Sequence, residues 1–164
     1  MKKRIAFSSR VGNRWIFAIE FEVIGDPPRV WNEWWGSLWL WIDGRVVGTP
    51  FEIEMVASGF DSLLESLYQL EQQAENRTSA FLSSLPGNQA LDLVMWAQYG
   101  EDESPVGFDG NRELLRVHEV LPRGSPFFDG WQAILLSDRL QERFIFRQEG
   151  GQVNEVKWPI GTFE

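Results

Sequence analysis

The chain has 164 residues, 15 basic and 24 acidic side chains for a formal charge of -9, nine Trp, twelve Phe, two Tyr, one His and no Cys. A length near about 150 residues usually makes one domain, so a single domain spanning 1–164 is expected, large enough to bury close to about 70% of its unfolded surface. The absence of cysteine excludes disulfide frameworks, thiolate zinc sites and a Cys nucleophile, and one histidine argues against a multi-His metal centre. A pI near 4.7 argues against nucleic acid as the main partner, because neutralising phosphates takes clustered Lys and Arg.

Met1-Lys2-Lys3-Arg4 opens the chain with positive charge, but Ser8, Ser9, Arg10 and Asn13 interrupt it before a secretory apolar stretch forms. No 18-residue apolar run occurs, so the sequence predicts a soluble, cytoplasmic protein without a membrane partner. Trp15 to Val23 alternates: Trp15, Phe17, Ile19, Phe21 and Val23 share one face, and Ile16, Ala18, Glu20 and Glu22 the other. That is the period of a half-buried strand, stopped by Gly25-Asp26-Pro27-Pro28. Ser37 to Ile42 resumes in β-favouring residues, and Asp43-Gly44 is a two-residue hairpin signal leading to Arg45-Val46-Val47-Gly48. A further short strand is expected at Phe51 to Met55.

From Ser58 to Arg77 the apolar positions Phe60, Leu63, Leu64, Leu67, Leu70 and Ala74 recur at three and four residues. This spacing predicts the main amphipathic helix, over about 59–77, packed on one face of a sheet, with Ser58 as its N-cap. Phe81 to Leu85, ended by Pro86-Gly87, is a short turn or helix. Leu91 to Tyr99 fits strand or helix, and strand is favoured for Leu93 to Ala97. Arg112 to Val120, Trp131 to Leu136, Glu142 to Gln148 and Gln152 to Trp158 read as strands, the last two joined at Glu149-Gly150-Gly151. The order of strands, helix and strands predicts an α+β fold with a largely antiparallel β-sheet.

The charge is not spread evenly. Residues 1–60 carry seven basic and seven acidic side chains, residues 61–110 one and nine, and residues 111–164 seven and eight. Nearly all the net charge therefore lies in one contiguous third. Asp61 and Glu65 place part of it on the exposed side of the helix, and Glu101, Asp102, Glu103 and Asp109 cluster in a loop with Ser104-Pro105 and Gly107. A solvated surface that maintains solubility is one reading of this run. An electrostatic landing site for a basic partner is the other.

Enzyme chemistry finds little support. His118 falls in a predicted strand, no Gly-x-Ser-x-Gly elbow or Gly-rich phosphate loop occurs, and Asp102 to Glu113 does not match a calcium loop. No catalytic residue, metal ligand set or cofactor is expected. The one enzyme option is the carboxylate pair Glu20 and Glu22, about 7 Å apart on one strand face, which could serve a hydrolase. Trp31, Trp34 and Trp35 lie within five residues. They fold back as the lid of a small core or pair across strands with Trp39 and Trp41, or one or two of them anchor a partner interface; a sugar-binding platform is a third option.

Phe17-Ala18-Ile19-Glu20-Phe21-Glu22, then Trp34-Trp35-Gly36-Ser37-Leu38-Trp39-Leu40-Trp41-Ile42-Asp43-Gly44 with Gly48, resembles the immunity protein 42 family. The closing Trp158-Pro159-Ile160-Gly161-Thr162-Phe163 is similar to that family's Pro-x-Gly-Thr-Phe ending. The resemblance implies a small cytoplasmic protein of a bacterial polymorphic toxin system, an antitoxin that binds and neutralises one cognate toxin domain and has no enzymatic activity. A basic toxin would meet Asp61, Glu65, Glu101, Asp102, Glu103 and Asp109, with Trp31, Trp34 or Trp35 as candidate anchors. An acidic adaptor module unrelated to toxins is the alternative. Oligomeric state and the toxin's chemistry are not encoded in these patterns.

Overall fold

The structure of the chain, a computed structural model, describes residues 5–25, 33–72, 80–101, 103–122, 124–138 and 140–162. Contacts divide the chain into two compact units, one of residues 1–65 and 122–130 and one of residues 66–121 and 131–164.

The first unit is an antiparallel sheet of β1 (Ile5–Asn13), β2 (Phe17–Ile24), β3 (Trp35–Ile42) and β4 (Arg45–Val47), in that order, with β5 (Glu54–Met55) also on β3. The register sets Phe17 opposite Ile42, Ile19 opposite Leu40 and Phe21 opposite Leu38. One face of the two central strands is therefore continuously apolar, and Ile19, Phe21, Leu38, Leu40 and Ile42 are all buried. The hairpin from β3 to β4 turns at Asp43 (φ 49°) and Gly44 (φ 73°), the paired left-handed conformation that an Asp-Gly loop supplies. Helix α1 (Val56–Gln72) begins in this unit. Its Phe60 meets Phe21 edge to face at 5.8 Å. Gly59 leaves room for the Phe127 ring, where a Cβ would come within 2.4 Å, and Phe127 sits in a 3-10 turn (Pro126–Phe128) tied to Thr49.

In the second unit β6 (Trp131–Ser137), β7 (Gln141–Gln148) and β8 (Asn154–Pro159) form a three-stranded antiparallel sheet. Helix α3 (Gly87–Tyr99) covers it: Leu91, Leu93, Val94, Met95 and Ala97 share a buried cluster with Ile134, Leu136 and Ile145. Helices α2 (Ala80–Ser84) and α4 (Glu113–Arg116) add Leu82 and Leu115 to the same cluster.

The α+β class and the antiparallel pairing agree with expectation, as do the hairpin, the short helix after residue 80 and the last three strands. Four local expectations need correction. The strand favoured for Leu93 to Ala97 is part of α3. Its apolar residues are buried on nearly every side, so no periodicity separates helix from strand. Arg112 to Val120 is not a strand but α4 followed by one bridge, Glu119 to Ile134. Trp15 is not on the core face of β2; it lies in the turn after β1, a strand the alternation argument did not identify. Ser58 is not an N-cap, because α1 starts at Val56, whose N–H is held by the Trp34 carbonyl at 2.8 Å. The expected helix end near residue 77 lies outside the described residues.

Candidate functional site

Asp61 and Glu65 are four residues apart on α1, so they share a helix face, and both are exposed. The apolar positions Val56, Ala57, Leu63 and Leu70 of the same helix are buried, which turns the acidic side outward.

Glu101, Glu103 and Asp109 are exposed in the loop from α3 to α4, within the second unit. That loop is braced. Arg112 at its far end donates from Nη2 to the carbonyls of Trp96 (2.7 Å) and Gly100 (2.5 Å), and its guanidinium lies 4.0 Å from the Trp96 ring centroid. Within the loop the Ser104 hydroxyl accepts the Phe108 N–H at 2.9 Å. The Phe108 ring meets Phe81 at 5.6 Å and packs on the buried cluster. Arg116 donates from Nε to the Ala97 carbonyl at 2.7 Å. The two arginines thus satisfy carbonyls at the negative end of α3, as its orphaned acceptors and dipole require. Glu101 and Glu103 follow that same negative end, where the helix dipole disfavours them. Helix stability does not account for their position.

Asp61, Glu101, Glu103 and Asp109 have no ion-pair partner among the described residues. Some other acids are paired: Glu20 with Arg14, Glu113 with Arg116, Glu155 with Arg143 and Lys157, and Asp92, within the acidic third itself, with Arg147. Four carboxylates of the acidic third are therefore exposed and without an ion pair among the described residues. Asp102 and Trp31 lie outside the described residues.

Trp34 is half-buried beside the start of α1, whereas Trp35 opens β3 with 50% of its surface exposed, opposite Met55 of β5. Trp35 cannot pair across strands with Trp39 or Trp41, since all three belong to one strand. Trp39 is buried, and the Trp41 indole donates from Nε1 to Glu20 at 2.7 Å. Glu20 also accepts from Arg14 Nε (2.9 Å) and Nη2 (2.6 Å), with the Arg14 guanidinium 4.3 Å from the Trp41 ring centroid. Both Glu20 oxygens are engaged by donors, so this carboxylate braces the sheet face instead of presenting a lone pair to a substrate. His118 is fully buried after α4, its Nδ1 3.2 Å from the Leu135 carbonyl oxygen.

Among the described residues no group of three or more His, Asp or Glu side chains is arranged to hold a metal ion, and no helix is long and apolar enough to cross a membrane. Sequence reasoning passed over Trp15 and Arg14, which the β1–β2 turn brings beside Trp41. The signal was Gly12-Asn13, turn residues set between two segments rich in β-formers.

The model of a family described as immunity protein 42 matches residues 6–164. No curated protein matches the chain. Among solved structures the fold is similar to that of CdiI from Burkholderia dolosa AUO158, with a TM-score of 0.61 at 17% identity, covering 94% of this chain and 93% of that one.

Proposed function

The chain belongs to the immunity protein 42 family, and from that premise we propose that it neutralises its toxin by laying exposed carboxylates on a basic surface of the toxin domain. Toxin-neutralising immunity comes with the family; the mode of contact is our reading. The observation that carries it is the charge of residues 61–110, one basic against nine acidic side chains, four of whose exposed members have no ion-pair partner among the described residues. A toxin acting on nucleic acid or nucleotides has a basic site, and an acidic inhibitor covers it with its own negative field. Asp61, Glu65, Glu101, Asp102, Glu103 and Asp109 supply that field, and Trp35, with Trp31 and Trp34 near it in sequence, supplies an apolar anchor.

Inhibition of this kind is stoichiometric and non-enzymatic. It takes place in the cytoplasm of the producing cell and needs no cofactor, membrane or nucleic acid. The test is co-expression with a candidate toxin domain, sought first in the reading frame neighbouring this chain's gene. Rescue of growth, co-purification as a complex and a dissociation constant that rises steeply with salt are expected. Rescue with a salt-independent affinity would contradict the electrostatic mode of contact.

A further inference from the structure

The β1–β2 turn and the β3–β4 hairpin are joined by two backbone hydrogen bonds, from Gly44 N to the Arg14 carbonyl (2.7 Å) and from Asp43 N to the Ile16 carbonyl (3.1 Å). Trp15 sits on this junction. Its backbone N–H donates to Asn13 Oδ1 at 3.0 Å, and its six-membered ring lies over Gly44, where a Cβ would come within 2.6 Å of the ring. The indole is held against the turn and yet 74% exposed. Beside it the stacked pair Arg14 and Trp41, fixed by Glu20, and the side chain of Arg10 line a cleft of about 520 Å³.

An exposed tryptophan costs solubility, and one already fixed in place loses little further freedom when a partner covers it. That combination marks a binding anchor. The charge defines what it binds. The cleft's ionisable lining residues are Arg10 and Arg14, with no acid among them. Arg14 is matched by Glu20, while Arg10 has no ion-pair partner among the described residues. Glu20 stands opposite Arg10 across the β1–β2 ladder but is engaged by Arg14 and Trp41. One exposed cation outside any ion pair suits one carboxylate and falls short of the several cations a nucleic-acid backbone needs.

We propose that this cleft is a second contact with the toxin domain, taking an acidic side chain of the toxin against Arg10 and a neighbouring apolar or aromatic side chain on the Trp15 indole. The inference rests on the reading of the chain as a stoichiometric toxin binder and adds a contact of opposite sign to the acidic one. Two contacts of opposite sign fix orientation, because a toxin docked the wrong way sets like charges together.

The test measures binding of the purified toxin domain to the full chain and to Trp15→Ala, Arg10→Gln and the double variant. Circular dichroism and melting temperature show that each variant is folded. Trp15→Ala should weaken binding about 30-fold or more, the loss expected of an anchoring tryptophan. Arg10→Gln should weaken it about 2- to 5-fold, on the scale of an exposed charge pair. The double variant should lose less than the product, since both residues hold one segment. Folded variants that bind as tightly as the parent overturn the cleft contact and leave the immunity reading intact. A parent chain that fails to bind the toxin domain overturns both. Retention of a thymidine oligonucleotide by the parent chain, lost in the double variant, would assign the cleft to nucleic acid and also overturn the proposal.

Discussion

At Arg143 a guanidinium only 6% exposed donates to Glu155 (2.7 Å) and to the carbonyls of Ser83 (2.9 Å) and Leu85 (3.1 Å). One side chain thereby joins β7, β8 and the turn after α2. Burial, the largest single influence on Glu155, raises its pKa. The Arg143 hydrogen bond and charge, with Lys157, outweigh it and hold the carboxyl below its ordinary 4.5. Asp138 is likewise held below its ordinary 3.8, chiefly by the backbone N–H groups of Leu140 and Gln141. A depressed folded-state pKa gives stability that is present above the unfolded value and lost as pH falls through the folded one. Stability should therefore be level near neutrality and decline as pH falls below about 4.5. The decline should be shallower in Glu155→Gln, measured by urea denaturation across pH. Arg143→Ala should cost about 3 kcal/mol, because it leaves a part-buried carboxylate and two carbonyls without their donor. A cost under about 0.5 kcal/mol, the level of a surface substitution, would contradict the account. None of this was legible in the sequence, where Arg143 was one polar residue in an alternating strand. Glu20 was legible as a paired carboxylate, but the arginine and indole that occupy it come from a turn and a neighbouring strand.

β2 and the first part of α1 were readable from alternation and helical spacing and the β3–β4 hairpin from Asp43-Gly44, whereas β6 and β7, buried on both faces, were readable from short runs of β-favouring residues bounded by turns. The failures fall where neither cue separates helix from strand. Helix α3 is apolar on nearly all sides, and the Arg112 to Val120 stretch mimics a strand because Leu114 is exposed while Leu115 is buried. The helical cue there was Arg112 and Arg116, four residues apart, which both reach the carboxyl end of α3. This capping also frames the acidic loop. Arg112→Ala should destabilise the protein by about 2 kcal/mol, the scale of lost charged hydrogen bonds. It should also speed amide exchange at Phe108, whose N–H is held by Ser104. Unchanged exchange at Phe108 would mean that the loop does not depend on its arginine brace.

On the scale of the whole molecule the chain passes between its two units after residues 65, 121 and 130, and α1 is continuous across the first crossing. With the chain woven through both units, we propose that they unfold as one domain. A single denaturation transition with coincident fluorescence and far-ultraviolet circular dichroism is expected, and two separated transitions would contradict it. The acidic third was legible as a count, and its exposure agrees with that count. The sequence did not reveal that its carboxylates are divided between the units, Asp61 and Glu65 in one and Glu101, Glu103 and Asp109 in the other. The division allows each set to be tested alone. The most direct measurement is the affinity of the toxin domain for Asp61→Lys with Glu65→Lys, and for Glu101→Lys with Glu103→Lys and Asp109→Lys, at several salt concentrations. Each folded variant should bind at least about 10-fold more weakly at low salt and show a flatter salt dependence than the parent. Parental affinity and an unchanged salt slope in both variants would contradict the acidic mode of neutralisation.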